Sequence, residues 1–119
     1  MNDQLMISVR QMDRVLTIDL NRPDELNPLC WQMLNELKAV LDDVVNDDTV
    51  GVIVIGAAGK AFSTGYDLRE EHWITSQYPA NFDDHVDIRQ DRDDVHTIVD
   101  YWMKLWRYPK PIIAMMGLG

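Results

Sequence analysis

Cysteine is nearly absent from this chain: Cys30 stands alone among 119 residues. An internal disulfide framework is therefore excluded, which agrees with a reducing compartment. The single thiol sits beside Trp31 at the start of a helical pattern, so it reads as a buried structural residue rather than a nucleophile. Histidine is scarce as well. His72, His85 and His96 share no metal-ligand spacing, and one cysteine does not complete a ligand set, so no metal site is expected. Basic side chains are few, 11 Lys and Arg against 20 Asp and Glu, for a formal net charge of −9. Phosphate backbones need a concentrated basic face, so nucleic acid is a poor partner. No apolar run is long enough to span a bilayer and no charged-then-apolar signal opens the chain. Cytoplasmic residence, away from membranes, follows as the default. Neither GxGxxG nor GK[ST] occurs, which removes the dinucleotide and P-loop fingerprints.

What is present is an ordinary globular balance, 46% hydrophobic and 26% charged, in a chain long enough for one modest core. Residues 6–10 and 15–20 read as two strands, the second alternating Leu16, Ile18 and Leu20 against Val15, Thr17 and Asp19. The polar link 11–14 makes them a hairpin. Asn27 followed by Pro28 predicts an N-cap with proline at the first helical position. The helix should run to about Val45, burying Met33, Leu34, Leu37, Val40, Leu41, Val44 and Val45 as one stripe. Residues 50–55 follow as a strand buried on both faces, so a right-handed βαβ connection is expected. The segment 69–84 has no clean period and reads as a variable loop. A second long helix over about 84–107 places Val95, Ile98, Val99, Trp102, Leu105 and Trp106 on one face. Prolines at Pro109 and Pro111 stop it, and 111–116 is a last strand.

Between the third strand and the variable segment lies Gly59-Lys60-Ala61-Phe62-Ser63-Thr64-Gly65-Tyr66-Asp67. A strand that ends in a Gly-rich turn brings backbone N–H groups out of the sheet, where they can bind developing negative charge. Two flanking stretches accompany it: Leu20-Asn21-Arg22-Pro23 with Leu26-Asn27-Pro28-Leu29 ahead, and Tyr108-Pro109-Lys110-Pro111-Ile112-Ile113-Ala114 behind.

In this order the three stretches resemble the crotonase superfamily, the enoyl-CoA hydratase/isomerase group, from Val15 to Ala114. The resemblance implies an α/β fold: the first turns of a crotonase-like ββα spiral, with residues 1–119 as the N-terminal part of such a domain. It implies an acyl-CoA thioester as substrate, with hydration of a 2-enoyl-CoA as the default reaction, and no cofactor beyond the coenzyme A that travels with the substrate. The thioester oxygen would be held by two backbone N–H donors, one of them the amide of Tyr66, where the family usually has a small side chain. Coenzyme A would meet mainly backbone near Glu25, Leu26, Ala61, Thr64 and Gly65. Lys60 reads either as a solvated lysine or as a partner for a CoA phosphate, and Arg22, Lys60 and Arg69 together suggest a small basic mouth on an acidic body. Asp67, which closes the loop, is counted with these substrate- and CoA-binding residues, its first expected job being to accept backbone hydrogen bonds or cap a turn.

The second donor would come from a glycine run after Ala114. Met115-Met116-Gly117-Leu118-Gly119 has its glycines out of step with that pattern, and the family's catalytic carboxylates fall beyond Gly119. The resemblance thus supplies one oxyanion donor and no acid–base carboxylate within these residues. The alternatives are a non-catalytic CoA-binding or assembly half-domain, or a truncated inactive gene product. Apolar surface left uncovered predicts a homo-oligomer or pairing with a homologous subunit.

Overall fold

The computed structural model describes residues 5–67 and 88–116. The hairpin forms as the alternation predicts: β1 (Ile7–Met12) pairs antiparallel with β2 (Val15–Leu20), with Met12 opposite Val15 across Asp13 and Arg14. Asp13 takes the left-handed backbone conformation the tight turn demands, at φ 53°. After a 3₁₀ turn (Pro23–Glu25) and helix α1 (Trp31–Val44), strand β3 (Val52–Ala57) returns parallel to β2, pairing Leu16 with Ile53 and Ile18 with Ile55. Helix α2 (Ile88–Trp106) and strand β4 (Ile112–Ala114) follow, β4 adding parallel to β3. The sheet order is β1-β2-β3-β4.

That register puts Ile7, Leu16, Ile18, Leu20, Ile53 and Ile55 on one face, against Met33, Leu37 and Leu41 of α1. Full burial of such a side chain is worth about 1.5–3 kcal/mol, so this seam between sheet and helix holds the unit together. The opposite face is only partly covered. Val52 and Val54 are half-buried rather than enclosed, which corrects the expectation that β3 is buried on both faces.

Helix α2 lies on α1 through polar and aromatic ties. The Trp31 and Tyr101 rings meet edge to face at 6.2 Å, Tyr101 donates to Asn35 Oδ1, and Lys104 pairs with Asp42. Beyond α2, Tyr108 donates its hydroxyl to the Leu41 carbonyl at 2.6 Å and Lys110 donates to the Val44 and Asp47 carbonyls. A cation over the last carbonyls of α1 satisfies acceptors the helix leaves unpaired. The predicted apolar stripe of α2 needs correction: Val99 and Trp106 are exposed, Trp106 at 84%, while Ile98, Trp102 and Leu105 are half-buried. The side chain of Val95, the variable segment 69–84 and the proposed helix start at 84 lie outside the described residues.

Candidate functional site

The early turn and the Gly-rich loop are built on one another. Asn27, predicted as the helix N-cap, is instead fully buried, with left-handed backbone at φ 55° after Leu26 at φ 64°. Its Oδ1 accepts from the Arg22 amide at 2.7 Å, and its Nδ2 donates to the carbonyls of Ala58 and Ala61, both at 2.9 Å. The cap of α1 falls on Cys30. Helix cannot begin at Pro28, because Leu29 pairs in parallel with Tyr66: the Leu29 amide donates to Gly65 O at 2.8 Å and the Asp67 amide to Leu29 O at 2.7 Å. Cys30 itself is buried as expected, donating to Met6 Sδ at 3.3 Å.

Further bonds close the loop. Thr64 N donates to Leu26 O at 3.1 Å, Ser63 Oγ donates to Asn27 O at 2.7 Å, and Gly65 N donates to Ser63 Oγ at 3.0 Å. Gly65 sits at φ 92° and Gly59 at φ 85°, and a Cβ on Gly59 would lie 2.7 Å from Pro23 Cβ. Both the conformation and the close approach require glycine at 59.

Arg22 and Asp67 lock the pair of segments. The guanidinium, 8% exposed, reaches the Asp67 carboxylate, 4% exposed, at 3.2 Å. It also donates to Pro28 O at 2.8 Å and pairs with Glu25. A buried charge persists only when paired and hydrogen-bonded, and among the described residues no buried side-chain nitrogen or oxygen lacks a partner. Asp67 therefore does more than the local capping expected of it: it holds a cation 45 positions away. Arg22 correspondingly leaves the proposed basic mouth, since its charge is consumed inside. Lys60 is exposed and Arg69 lies outside the described residues.

The predicted residues are thus brought together on one edge. Leu26, Ala61 and Gly65 are half-buried, Glu25, Lys60, Thr64 and Tyr66 are exposed, and Asp67 is buried behind them. In extended backbone successive N–H groups point to opposite edges. The Asp67 amide is spent on Leu29, so the Tyr66 amide points the other way, out of the paired segment. The Tyr66 hydroxyl accepts from Trp102 Nε1 at 2.7 Å, a contact between loop and α2 that sequence reasoning did not anticipate. Asn27, Ser63 and the ion-pairing role of Arg22 were missed in the same way, although Asn27 and Arg22 stand inside the early motif and Ser63 inside the loop.

A mixed sheet with a βαβ unit, and a Gly-rich turn clamped onto the segment that precedes α1, define an α/β protein. The family model described as enoyl-CoA hydratase/isomerase matches residues 10–117. The human mitochondrial enoyl-CoA hydratase domain-containing protein 3 is 33% identical over 111 residues, covering 92% of this chain and 33% of that protein. A 4-chlorobenzoyl coenzyme A dehalogenase-1 from an Arthrobacter species is 41% identical over 69 residues, 58% of this chain and 25% of that protein. The crystal structure of an enoyl-CoA hydratase from Shewanella pealeana superposes with a TM-score of 0.77 at 26% identity, over 95% of this chain and 40% of that one. This chain belongs to the enoyl-CoA hydratase/isomerase family and has the α/β, crotonase-like fold. It spans about a third of the length of the human relative.

Proposed function

We propose that the edge formed by residues 59–67 receives the thioester carbonyl of an acyl-coenzyme A, with the Tyr66 amide as one oxyanion donor. The observation that carries this reading is the Leu29–Tyr66 pairing, because it commits the Asp67 amide to the fold and turns that of Tyr66 outward. A single oxyanion donor is typically worth about 2.7–4 kcal/mol of transition-state stabilisation, so its aim matters. Glu25, Leu26, Ala61, Thr64 and Gly65 would line the coenzyme A path, with Lys60 exposed beside them for a phosphate. No cofactor is called for beyond the coenzyme A of the substrate. A free, buried Cys30 suits a reducing compartment such as the cytoplasm.

Hydration of a 2-enoyl-CoA is the default reaction of such a site in the whole protein. Calorimetric titration of the chain with crotonyl-CoA tests the binding step: saturable heat supports the reading, and no heat at high ligand removes both the catalytic and the CoA-binding assignments. The chain alone should hydrate crotonyl-CoA no faster than a blank, and clear turnover would overturn the expectation that the acid–base carboxylates lie beyond Gly119. A second reading, a half-domain that assembles with another copy or a homologous subunit, is favoured by the exposure of Ile113, Met115 and Met116, at 54%, 52% and 72%. Light scattering after size exclusion tests it, a stable monomer being the outcome against it.

A further inference from the structure

Tyr66 carries a second consequence, which rests on its amide being the carbonyl donor. We propose that its side chain determines acyl-chain specificity: the phenol ring, fastened to Trp102, walls the space beside the thioester and restricts the site to short acyl groups.

Elementary geometry puts ring and substrate in the same volume. Backbone N and Cβ of one residue are about 2.5 Å apart, and a carbonyl oxygen accepting from that amide lies about 2.9 Å from the nitrogen. The thioester carbon is then within about 7 Å of Tyr66 Cβ whichever way the acyl group runs. A tyrosine ring sweeps that distance, so the substituent at this position meets the first few carbons of the chain. A small residue would leave this space open.

The ring is also held. Its hydroxyl accepts from Trp102 Nε1 at 2.7 Å, and Trp102 belongs to a helix fixed on α1 by the Trp31–Tyr101 contact and the Lys104–Asp42 pair. An unfastened tyrosine could turn aside at the cost of a rotamer change. This one must break a hydrogen bond as well. Tyr66 remains 45% exposed, so a ligand at the loop can touch it. Together the Tyr66 and Trp102 rings join the loop edge to α2, and an acyl chain extending that way meets them.

The test is calorimetric titration of the chain with free CoA, butyryl-CoA and lauroyl-CoA, for the unsubstituted protein and for Tyr66→Ala and Tyr66→Phe. Circular dichroism confirms that each variant is folded, as expected for a half-exposed position. Tyr66→Ala should move the lauroyl-to-butyryl affinity ratio toward lauroyl by about tenfold, the lower end of what admitting or refusing a single methylene is worth. Tyr66→Phe, which keeps the ring but loses the tie to Trp102, should move it by less. A shift below about threefold for Tyr66→Ala, with both thioesters binding, overturns the specificity role and leaves the acyl-CoA reading standing. Thioesters that bind the unsubstituted chain no better than free CoA overturn the carbonyl-binding assignment, and this inference with it.

Discussion

Replacing Asn27 with alanine should cost about 3–5 kcal/mol of folding stability. Three hydrogen bonds leave with the amide: those to the carbonyls of Ala58 and Ala61 and the one from the Arg22 amide. Each contributes about 0.5–1.5 kcal/mol net, and more where the abandoned partner stays out of water. Ala58, Ala61 and Arg22 are half-buried, which places the sum between those limits. Alanine must also hold the backbone at φ 55°, a conformation asparagine tolerates better and one that costs about 1–2 kcal/mol for an ordinary residue. Since a domain of this size is stable by about 5–15 kcal/mol, the midpoint of urea unfolding, followed by circular dichroism, should fall steeply. Asn27→Asp should be at least as damaging, because it keeps the acceptor but turns a carboxylate toward two carbonyl oxygens. A loss smaller than about 1 kcal/mol for Asn27→Ala, the size of an average substitution, would refute the claim that this side chain joins the two segments.

Arg22→Met should destabilise by about 3–5 kcal/mol, as expected when one partner of a buried pair is removed. Adding Asp67→Leu should recover part of that loss, and a double variant no more stable than the single one would contradict the pairing. Gly59→Ala should lower the melting temperature more than Gly65→Ala: both have positive φ, but a Cβ at 59 collides with Pro23 whereas at 65 it meets nothing within 4 Å. Equal losses would mean that backbone conformation alone decides. The Asp42 carboxyl is held below its usual 3.8 first by the Lys104 hydrogen bond, then by that of Lys38. A depressed carboxylate contributes stability that is present above its unfolded pKa and lost as pH falls through the folded one. The advantage of the unsubstituted chain over Asp42→Asn in thermal unfolding should therefore hold at neutral pH and fade below 3.8. An advantage that persists in acid would show that the ion pairs do not tie α2 to α1.

Much of the fold was legible because its signals are local and periodic. Leu16, Ile18 and Leu20 alternate in sequence and are all buried, and Met33, Leu37 and Leu41 keep helical spacing and pack into the same core as the sheet. Where periodicity stopped deciding, expectation failed. Val99 and Trp106 fit the stripe of α2 as well as Leu105 does, yet stand in solvent, because the meeting of Tyr101 with Trp31 fixes which side of the helix is turned inward. Asn27-Pro28 is a sound local start signal for a helix, and it was overridden by bonds to residues more than thirty positions away. Arg22 looked like a surface cation because a sequence does not show a carboxylate that arrives from the far side of a strand.

The candidate site was legible for a different reason, and only in part. The working group proposed for it is a backbone amide, so no side-chain chemistry marks it. What the sequence can specify is the scaffold that aims that amide: glycine where φ is positive and Pro23 approaches, Asn27 and Ser63 to bind the loop's backbone, Arg22 and Asp67 to lock it. Each is needed for packing, and each is also what points the Tyr66 amide outward, so stability and function cannot be separated at these positions by burial alone. Tyr66 is the exception. Its amide is set by the scaffold, whereas its side chain is half-exposed and meets α2 through the hydrogen bond from Trp102. Substitution there should leave folding nearly unchanged and alter what the edge accepts, which makes it the position at which a change in ligand preference can be read without a change in structure.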